Sequence, residues 1–196
     1  MADDKLEAYK SKRDPSKTSE PFGSEEGLKT NRFVIQKHDA SRLHYDFRLE
    51  VDGVLKSWAV PKGPSTDPRD KRLAMPTEDH PLDYIDFEGN IPRDQYGGGS
   101  VIVWDAGTYR NLSQRKGNEV PLAEALNKGH ASVWLEGHKL TGGYAITRTG
   151  SGKKPRWLLV KMKDEAADAR RNPVSTQPES VISGLTIDEI AREADA

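Results

Sequence analysis

Between Arg32 and Lys163 the apolar residues come only in short runs, each of strand length and each closed by a turn signal. Phe33-Val34-Ile35, Tyr45 to Val51, Val54 to Val60, Val101 to Trp104, Ser132 to Leu135, Tyr144 to Thr147 and Trp157 to Met162 have the length and composition of strands. Asp52-Gly53 separates two of these runs and predicts a tight hairpin. One helix fits the stretch: Pro121 stands at its first turn, Leu122, Ala125 and Leu126 follow, and Gly129 lies just past its end. Many strands, one helix, and 17 glycines and 12 prolines to supply turns predict a mainly β fold, a small closed or nearly closed barrel.

The flanks read differently. Residues 1–30 are charged and interrupted by Pro15, Pro21, Gly23 and Gly27, which predicts an extended N-terminal arm rather than a helix. Residues 31–165 form the barrel domain, and residues 166–196 an acidic, mostly irregular tail that the chemistry and the core are expected to do without. Within that tail Thr186 and Glu189 have the spacing of a capping box for a short helix carrying Ile187 and Ile190. The net charge of −1 hides this division: residues 164–196 hold three arginines against eight acids, leaving the rest of the chain at +4. A mildly basic body permits a phosphate-bearing partner without demanding one. The absence of cysteine excludes disulfides, thiolate zinc sites and a cysteine nucleophile. No apolar run reaches the roughly 20 residues of a membrane span, and Met1–Lys10 lacks a signal-like apolar stretch, so a soluble cytoplasmic protein is expected.

The chemistry concentrates in residues 36–50. Strand alternation puts Tyr45, Phe47, Leu49 and Val51 on a core face and His44, Asp46, Arg48 and Glu50 on the other. His44 and Asp46 then lie about 7 Å apart along the strand, both within reach of one ion. His38, beyond a loop containing Ala40 and Ser41, can complete a two-histidine, one-carboxylate set suited to Mn, Fe or Zn. Arg48 is placed one step along for a bidentate grip on a phosphate. The competing reading is an ordinary solvated strand face. On residues alone His80 reads as a surface histidine, Lys62 and Arg72 as loop charges, and His130 and His138 as structural. Gly97-Gly98-Gly99-Ser100 lacks the following Gly-Lys-Ser/Thr of a nucleotide-binding loop.

Longer runs carry a resemblance. Ile35 to Asp39, Leu43 to Leu49, Lys56 to Pro64 and Glu78 to Tyr84 closely resemble the 3′-phosphoesterase module of bacterial end-joining DNA ligases of the D type, and Phe87-Glu88-Gly89, Ile91-Pro92, Tyr96 to Gly99 and Trp157 to Lys161 continue it. The likeness spans about residues 5–165, and no Lys-x-Asp-Gly adenylation motif is present, so a stand-alone module without ligase activity is expected.

The resemblance implies an eight-stranded barrel with a crescent-shaped groove and a Mn²⁺-dependent hydrolase site, other divalent transition metals being alternatives. The activity it implies is the healing of DNA 3′ ends. A terminal ribonucleoside is removed and the remaining 3′-phosphate hydrolysed to a hydroxyl, through the ribose 2′-hydroxyl or a water. By that resemblance His38, His44 and Asp46 are metal ligands. Arg48 and His80 hold the scissile phosphate with Tyr84 beside them, and Arg13, Asp14 and Glu20 serve mainly the diesterase step. Gln36, Lys62, Arg72 and Glu78 support substrate binding. The implied partners are primer-template DNA ends and a separate DNA ligase, polymerase or Ku-like protein; a nucleoid-associated monomer is expected. Two other readings stand beside this one. One is a DNA-end-binding module without turnover; the other is an iron and 2-oxoglutarate oxygenase using His44, Asp46 and His138 with Arg148.

Overall fold

The computed structural model describes residues 4–23, 30–150 and 152–195; Gly27 of the arm lies outside them. The strands are β1 (Arg32–Asp39), β2 (Leu43–Val51), β3 (Val54–Val60), β4 (Arg72–His80), β5 (Gly89–Ile91), β6 (Gly99–Asn111), β7 (Gln114–Arg115), β8 (Asn118–Glu119), β9 (His130–Gly137), β10 (Thr141–Thr149) and β11 (Arg156–Lys161). Eight of them pair in the order β1-β2-β3-β4-β11-β10-β9-β6, and β6 pairs back onto β1, so the mainly β fold is a closed antiparallel barrel. Closure removes the exposed edges an open sheet would present. β5 adds to β6 outside this ring, and β7 and β8 make a separate hairpin.

Local chemistry fixes the corners. Asp52 and Gly53 both take positive φ, +50° and +83°, the two-residue turn that matches the strand twist between Val51 and Val54. β4 did not stand out in the sequence because it is polar and holds Pro76. It is a strand because β3 pairs with it, and β11 leaves it after Ala74, so the missing N–H sits beside an open edge. Phe33, Ile35, Tyr45, Phe47, Leu49 and Trp104 fill the main core. Helix α2 (Leu122–Asn127), found where the proline and glycine signals place it, adds Leu122, Ala125 and Leu126.

Both flanks are more ordered than their composition suggests. The arm is not simply extended: it holds helix α1 (Glu7–Ser11), and Tyr9 is fully buried in a second apolar cluster with Leu55, Leu82, Tyr84, Phe87, Ile91 and Val101. Its hydroxyl donates to the Pro21 carbonyl at 2.6 Å. The tail forms α3 (Pro173–Thr176) and α4 (Ile187–Ala194). Thr186 caps α4 by accepting the Glu189 N–H, while Ile187 and Ile190 pack on Ile102. The barrel also grips tail carbonyls: Thr66 Oγ1 lies 2.7 and 2.9 Å from those of Asp168 and Arg171, and the Trp104 indole donates to Gln177 at 2.8 Å. Among the described residues no helix is long and apolar enough to cross a membrane.

Candidate active site

The β1–β2 register sets His38 directly opposite His44, and Gln36 opposite Asp46. Facing residues on neighbouring strands bring their side chains together, and the two imidazoles lie 4.9 Å apart. Alternation sends Tyr45, Phe47 and Leu49 into the barrel and His44, Asp46 and Arg48 to its outer side. That outer side is not solvated. Asp46 and Arg48 are only 5% and 3% exposed, because the arm and the segment after β4 cover them, and this removes the solvated-face reading.

Asp46 Oδ2 lies 3.5 Å from His38 Nδ1, 3.2 Å from His44 Nε2 and 3.5 Å from Arg48 Nη2. One ligand atom from each of His38, His44 and Asp46 falls within 4.8 Å of the others. The outer ring nitrogens decide the tautomers. His38 Nε2 faces the Gly97 carbonyl at 2.7 Å and His44 Nδ1 the Arg42 carbonyl at 3.0 Å; carbonyls only accept, so both nitrogens carry protons. The inner nitrogens, His38 Nδ1 and His44 Nε2, therefore face the Asp46 carboxylate from rings anchored on their outer side. Two imidazole nitrogens and a carboxylate oxygen converging on one point are a donor set that fits a divalent cation, and carbonyls that orient the imidazoles are what such a site needs.

The Gly97–Gly99 run allows that support. A Cβ at Gly99 would lie 2.0 Å from the Asp39 carbonyl oxygen, so only glycine lets this loop close on the β1 end. Burial alone would raise the Asp46 pKa, but Arg48 and the two imidazoles outweigh it and hold the carboxyl well below its usual range. His44 moves up: burial opposes its charge, and Asp46 overcomes that.

Around this triad a cleft of about 330 Å³ is lined by Arg13, Glu20, Arg48, Glu78, His80 and Tyr84 as well. Arg48 Nε donates to Gln36 Oε1 at 2.7 Å, and Gln36 is itself anchored to the Tyr84 and Phe87 carbonyls. Arg48 Nη1 is buried with no partner among the described residues. A buried guanidinium with an unmet N–H suits an anionic oxygen. His80 donates from Nδ1 to the Glu78 carbonyl at 2.8 Å. Burial, with Arg48 and Arg13 nearby, pushes its pKa well below the ordinary value, so the ring is neutral with Nε2 free of a proton. Burial and then Glu20 raise the Tyr84 pKa well above the usual phenol value, so its hydroxyl donates to Glu20 Oε2 at 3.0 Å.

The arm reaches this cleft through Arg13. Its Nε pairs with Glu20 at 3.0 Å, and its Nη1 with Glu78 at 3.0 Å and the Tyr9 carbonyl at 3.1 Å. Its Nη2 comes within 3.5 Å of His80 Nε2. Four sequence-derived site residues do not line the cleft. Asp14 is exposed and spends its carboxylate on Ser16, as the first residues of a turn do. Gln36 is fully buried and acts on Arg48 rather than meeting solvent. Lys62 is exposed beyond β3, and Arg72 leans on Asp70 at 3.7 Å. His138 is also absent from the cleft, which leaves an oxygenase triad without its third ligand. Residue reasoning gave no role to Tyr96, a cleft-lining ring 49% exposed, or to Thr77. Tyr96 stands in the glycine run, and that aromatic among glycines was the only signal available.

Residues 36–148 match the family described as the DNA ligase D 3′-phosphoesterase domain. The chain is similar to the multifunctional non-homologous end joining protein LigD of Pseudomonas aeruginosa, 50% identical over 188 residues, which are 93% of this chain and 22% of that protein. The LigD of Mycolicibacterium smegmatis is 45% identical over 164 residues, 83% of this chain and 21% of the relative. The LigD of Mycobacterium tuberculosis strain H37Rv is likewise 45% identical, with 20% of its length covered. The chain thus spans about a fifth of the length of these curated relatives. Because the matched residues make up more than half of the chain and contain His38, His44, Asp46, Arg48 and His80 of the one cleft, the chain belongs to the DNA ligase D 3′-phosphoesterase domain family.

Proposed function

We propose that this chain is a metal-dependent phosphoesterase that heals DNA 3′ ends during end joining. In this reading it removes a terminal ribonucleoside and then the 3′-phosphate. The observation that carries the reading is the pairing of a three-ligand cluster with a buried, unmet arginine N–H at one cleft. His38, His44 and Asp46 would hold the metal, with Mn²⁺ first among candidates. A bound divalent ion supplies charge neutralisation and Lewis acidity at a phosphoryl group.

The chain's own residues do the rest. Arg48 presents Nη1 to a phosphate oxygen, held by Gln36 on one side and stacked 5.0 Å from the Tyr84 ring centre on the other. Such preorganised donors stabilise charge that grows in the transition state. His80 enters neutral, with its proton fixed on Nδ1, so Nε2 is ready to accept a proton from the attacking hydroxyl. An arriving phosphate opposes the nearby guanidinium charges and restores the basicity that they remove. Arg13, Glu20 and Glu78 position the longer diester substrate rather than touch the reacting atoms.

The test is a primer-template carrying either a 3′-ribonucleotide or a 3′-phosphate, incubated with manganese and its products sized. The wild type should shorten the first and dephosphorylate both. His38→Ala and Asp46→Ala should abolish metal binding and turnover, and His138→Ala should spare them. Tight binding of the ends with no product would instead make the chain an end-binding module.

A further inference from the structure

A second cavity, of about 400 Å³, adjoins the cleft. Thr77 lines both, and Trp58, which packs in the barrel core, lines the second space. Two buried polar atoms on this wall have no partner among the described residues, the Trp58 indole Nε1 and the Thr77 hydroxyl. Trp58 is 4% exposed, so water does not satisfy its N–H from outside. A buried donor left unmet is costly, and a ligand acceptor removes that cost. Three cations line the same space. Lys5 donates to the Asp52 carbonyl at 2.8 Å, Lys56 pairs with Asp79 at 2.9 Å, and Arg148 lies exposed with its guanidinium 5.8 Å from the Trp157 ring centre.

Asp52 and Asp79 also line the space, so its charged side chains sum to +1. An N–H donor, a hydroxyl, an aromatic wall and this positive balance together favour a ligand that is anionic, rich in acceptors and ring-bearing. Nucleotides have that chemistry. Sharing Thr77 with the phosphate cleft makes it part of the same strand rather than a free nucleotide. The buried Trp58 indole on its wall suits the retained strand, whereas Tyr96, half exposed on the cleft, suits a nucleoside that must depart.

We propose that this cavity is a subsite for the nucleotide on the 5′ side of the one bearing the reacting phosphate. The inference rests on the proposed 3′-phosphoesterase reading. Its test is a length series of 3′-phosphorylated deoxynucleotides, one, two and three residues long, assayed with manganese for kcat and KM. In the wild type kcat/KM should rise about tenfold from the mononucleotide to the dinucleotide and little further. Trp58→Phe keeps an aromatic ring but deletes the N–H and part of the buried indole; Arg148→Gln alters only an exposed side chain, so it stays interpretable if the first variant fails to fold. Each should cut the dinucleotide's advantage roughly five- to tenfold, and through KM rather than kcat.

An advantage that survives both variants overturns the proposal. So does a defect confined to 3′-ribonucleotide substrates, which would assign the cavity to the leaving nucleoside. Binding of fluorescein-labelled 3′-phosphorylated mono- and dinucleotides is measured alongside. A wild type that hydrolyses no 3′-phosphate overturns the functional reading, and the affinity difference between the two probes then decides the subsite by itself.

Discussion

The arm and the tail are both polar, both proline-broken and both outside the barrel, yet they are attached by opposite means. The arm buries charge. Arg13, Glu20 and Glu78 keep 5%, 1% and 6% of their side chains exposed and pair beside His80, with Lys12 supplying the second cation to Glu78. The tail leaves Arg170 and its partner Asp168 in solvent, 3.4 Å apart, and docks on the barrel through backbone carbonyls, two isoleucines and the Arg171 guanidinium, which donates to the Lys139 carbonyl. Buried ion pairs are a poor means of gaining stability, because desolvation offsets most of the attraction. Carbonyl hydrogen bonds and apolar contacts are the inexpensive way to dock a segment. A buried ion-pair network is thus present in the arm and absent from the described residues of the tail, which is what the proposed positioning role of the arm rests on.

The largest expected effect breaks that network. Arg13→Ala leaves Glu20 buried without its counter-charge and Glu78 with Lys12 alone, and should cost about 3–5 kcal/mol in urea unfolding. Arg170→Ala in the tail should leave the unfolding midpoint where it is. On substrates, Arg13→Ala is expected to depress ribonucleoside removal more than 3′-phosphate hydrolysis; equal losses would make Arg13 part of the phosphate site through its contact with His80. Next in size is Ile190→Ala, which empties a buried position on Ile102 and should cost about 2–4 kcal/mol with kcat on a 3′-phosphate primer retained. Lost activity there would tie the tail to the cleft and erase the contrast.

The same contrast explains what could be read from residues alone. Period-two alternation in β2 exposed His44, Asp46 and Arg48, and two signals, Asp52-Gly53 and Pro121 with Gly129, located a turn and a helix. The capping spacing at Thr186 found α4. Tyr9 could not be found, since a lone aromatic in a charged stretch shows no period, and its partners come from β3, β5, β6 and the segment after β4. Tail docking was equally invisible: the groups gripped by Thr66 and Trp104 are main-chain carbonyls, which every residue carries. Asp14 lies outside the cleft lining, at the head of a turn; the resemblance gives a position in the chain but not the direction of a side chain in a turn.

Acid should separate the flanks less sharply. Burial raises the Glu78 pKa, but its own backbone N–H, Arg13 and Lys12 outweigh that and leave it lowered. A carboxyl lowered in the folded state contributes stability above its unfolded value of 4.5, and that contribution fades as the pH falls through the lower folded value. The unfolding midpoints of wild type and Glu78→Gln should therefore differ near neutrality and converge below pH 4.5. Curves that stay parallel into acid would show that the carboxylate charge is not what holds the arm.

The smallest effect tests whether the tail opens independently. Thr186 accepts the Glu189 N–H at 3.3 Å, satisfying one of the first-turn donors of α4, a helix of eight residues that is too short to persist without its cap and its isoleucines. Thr186→Ala should cost about 1 kcal/mol. If arm and tail are separate cooperative units, that cost appears locally: amide exchange at Ile190 and Arg192 should speed up about fivefold, while exchange at Lys10 and Arg13 in the arm is unchanged. The amides chosen report on real bonds, since Ile190 N–H donates to the Thr186 carbonyl at 3.1 Å and Lys10 N–H to that of Leu6 at 2.9 Å. Only opening that stays within the tail is compatible with a flank that contributes packing and no chemistry. Faster exchange in both segments would mean that the barrel transmits the loss. Asn90 then becomes the connection to examine, because its side chain bridges the Ile190 carbonyl and the Ser100 hydroxyl at the β5–β6 pairing, one strand from His38 on β1.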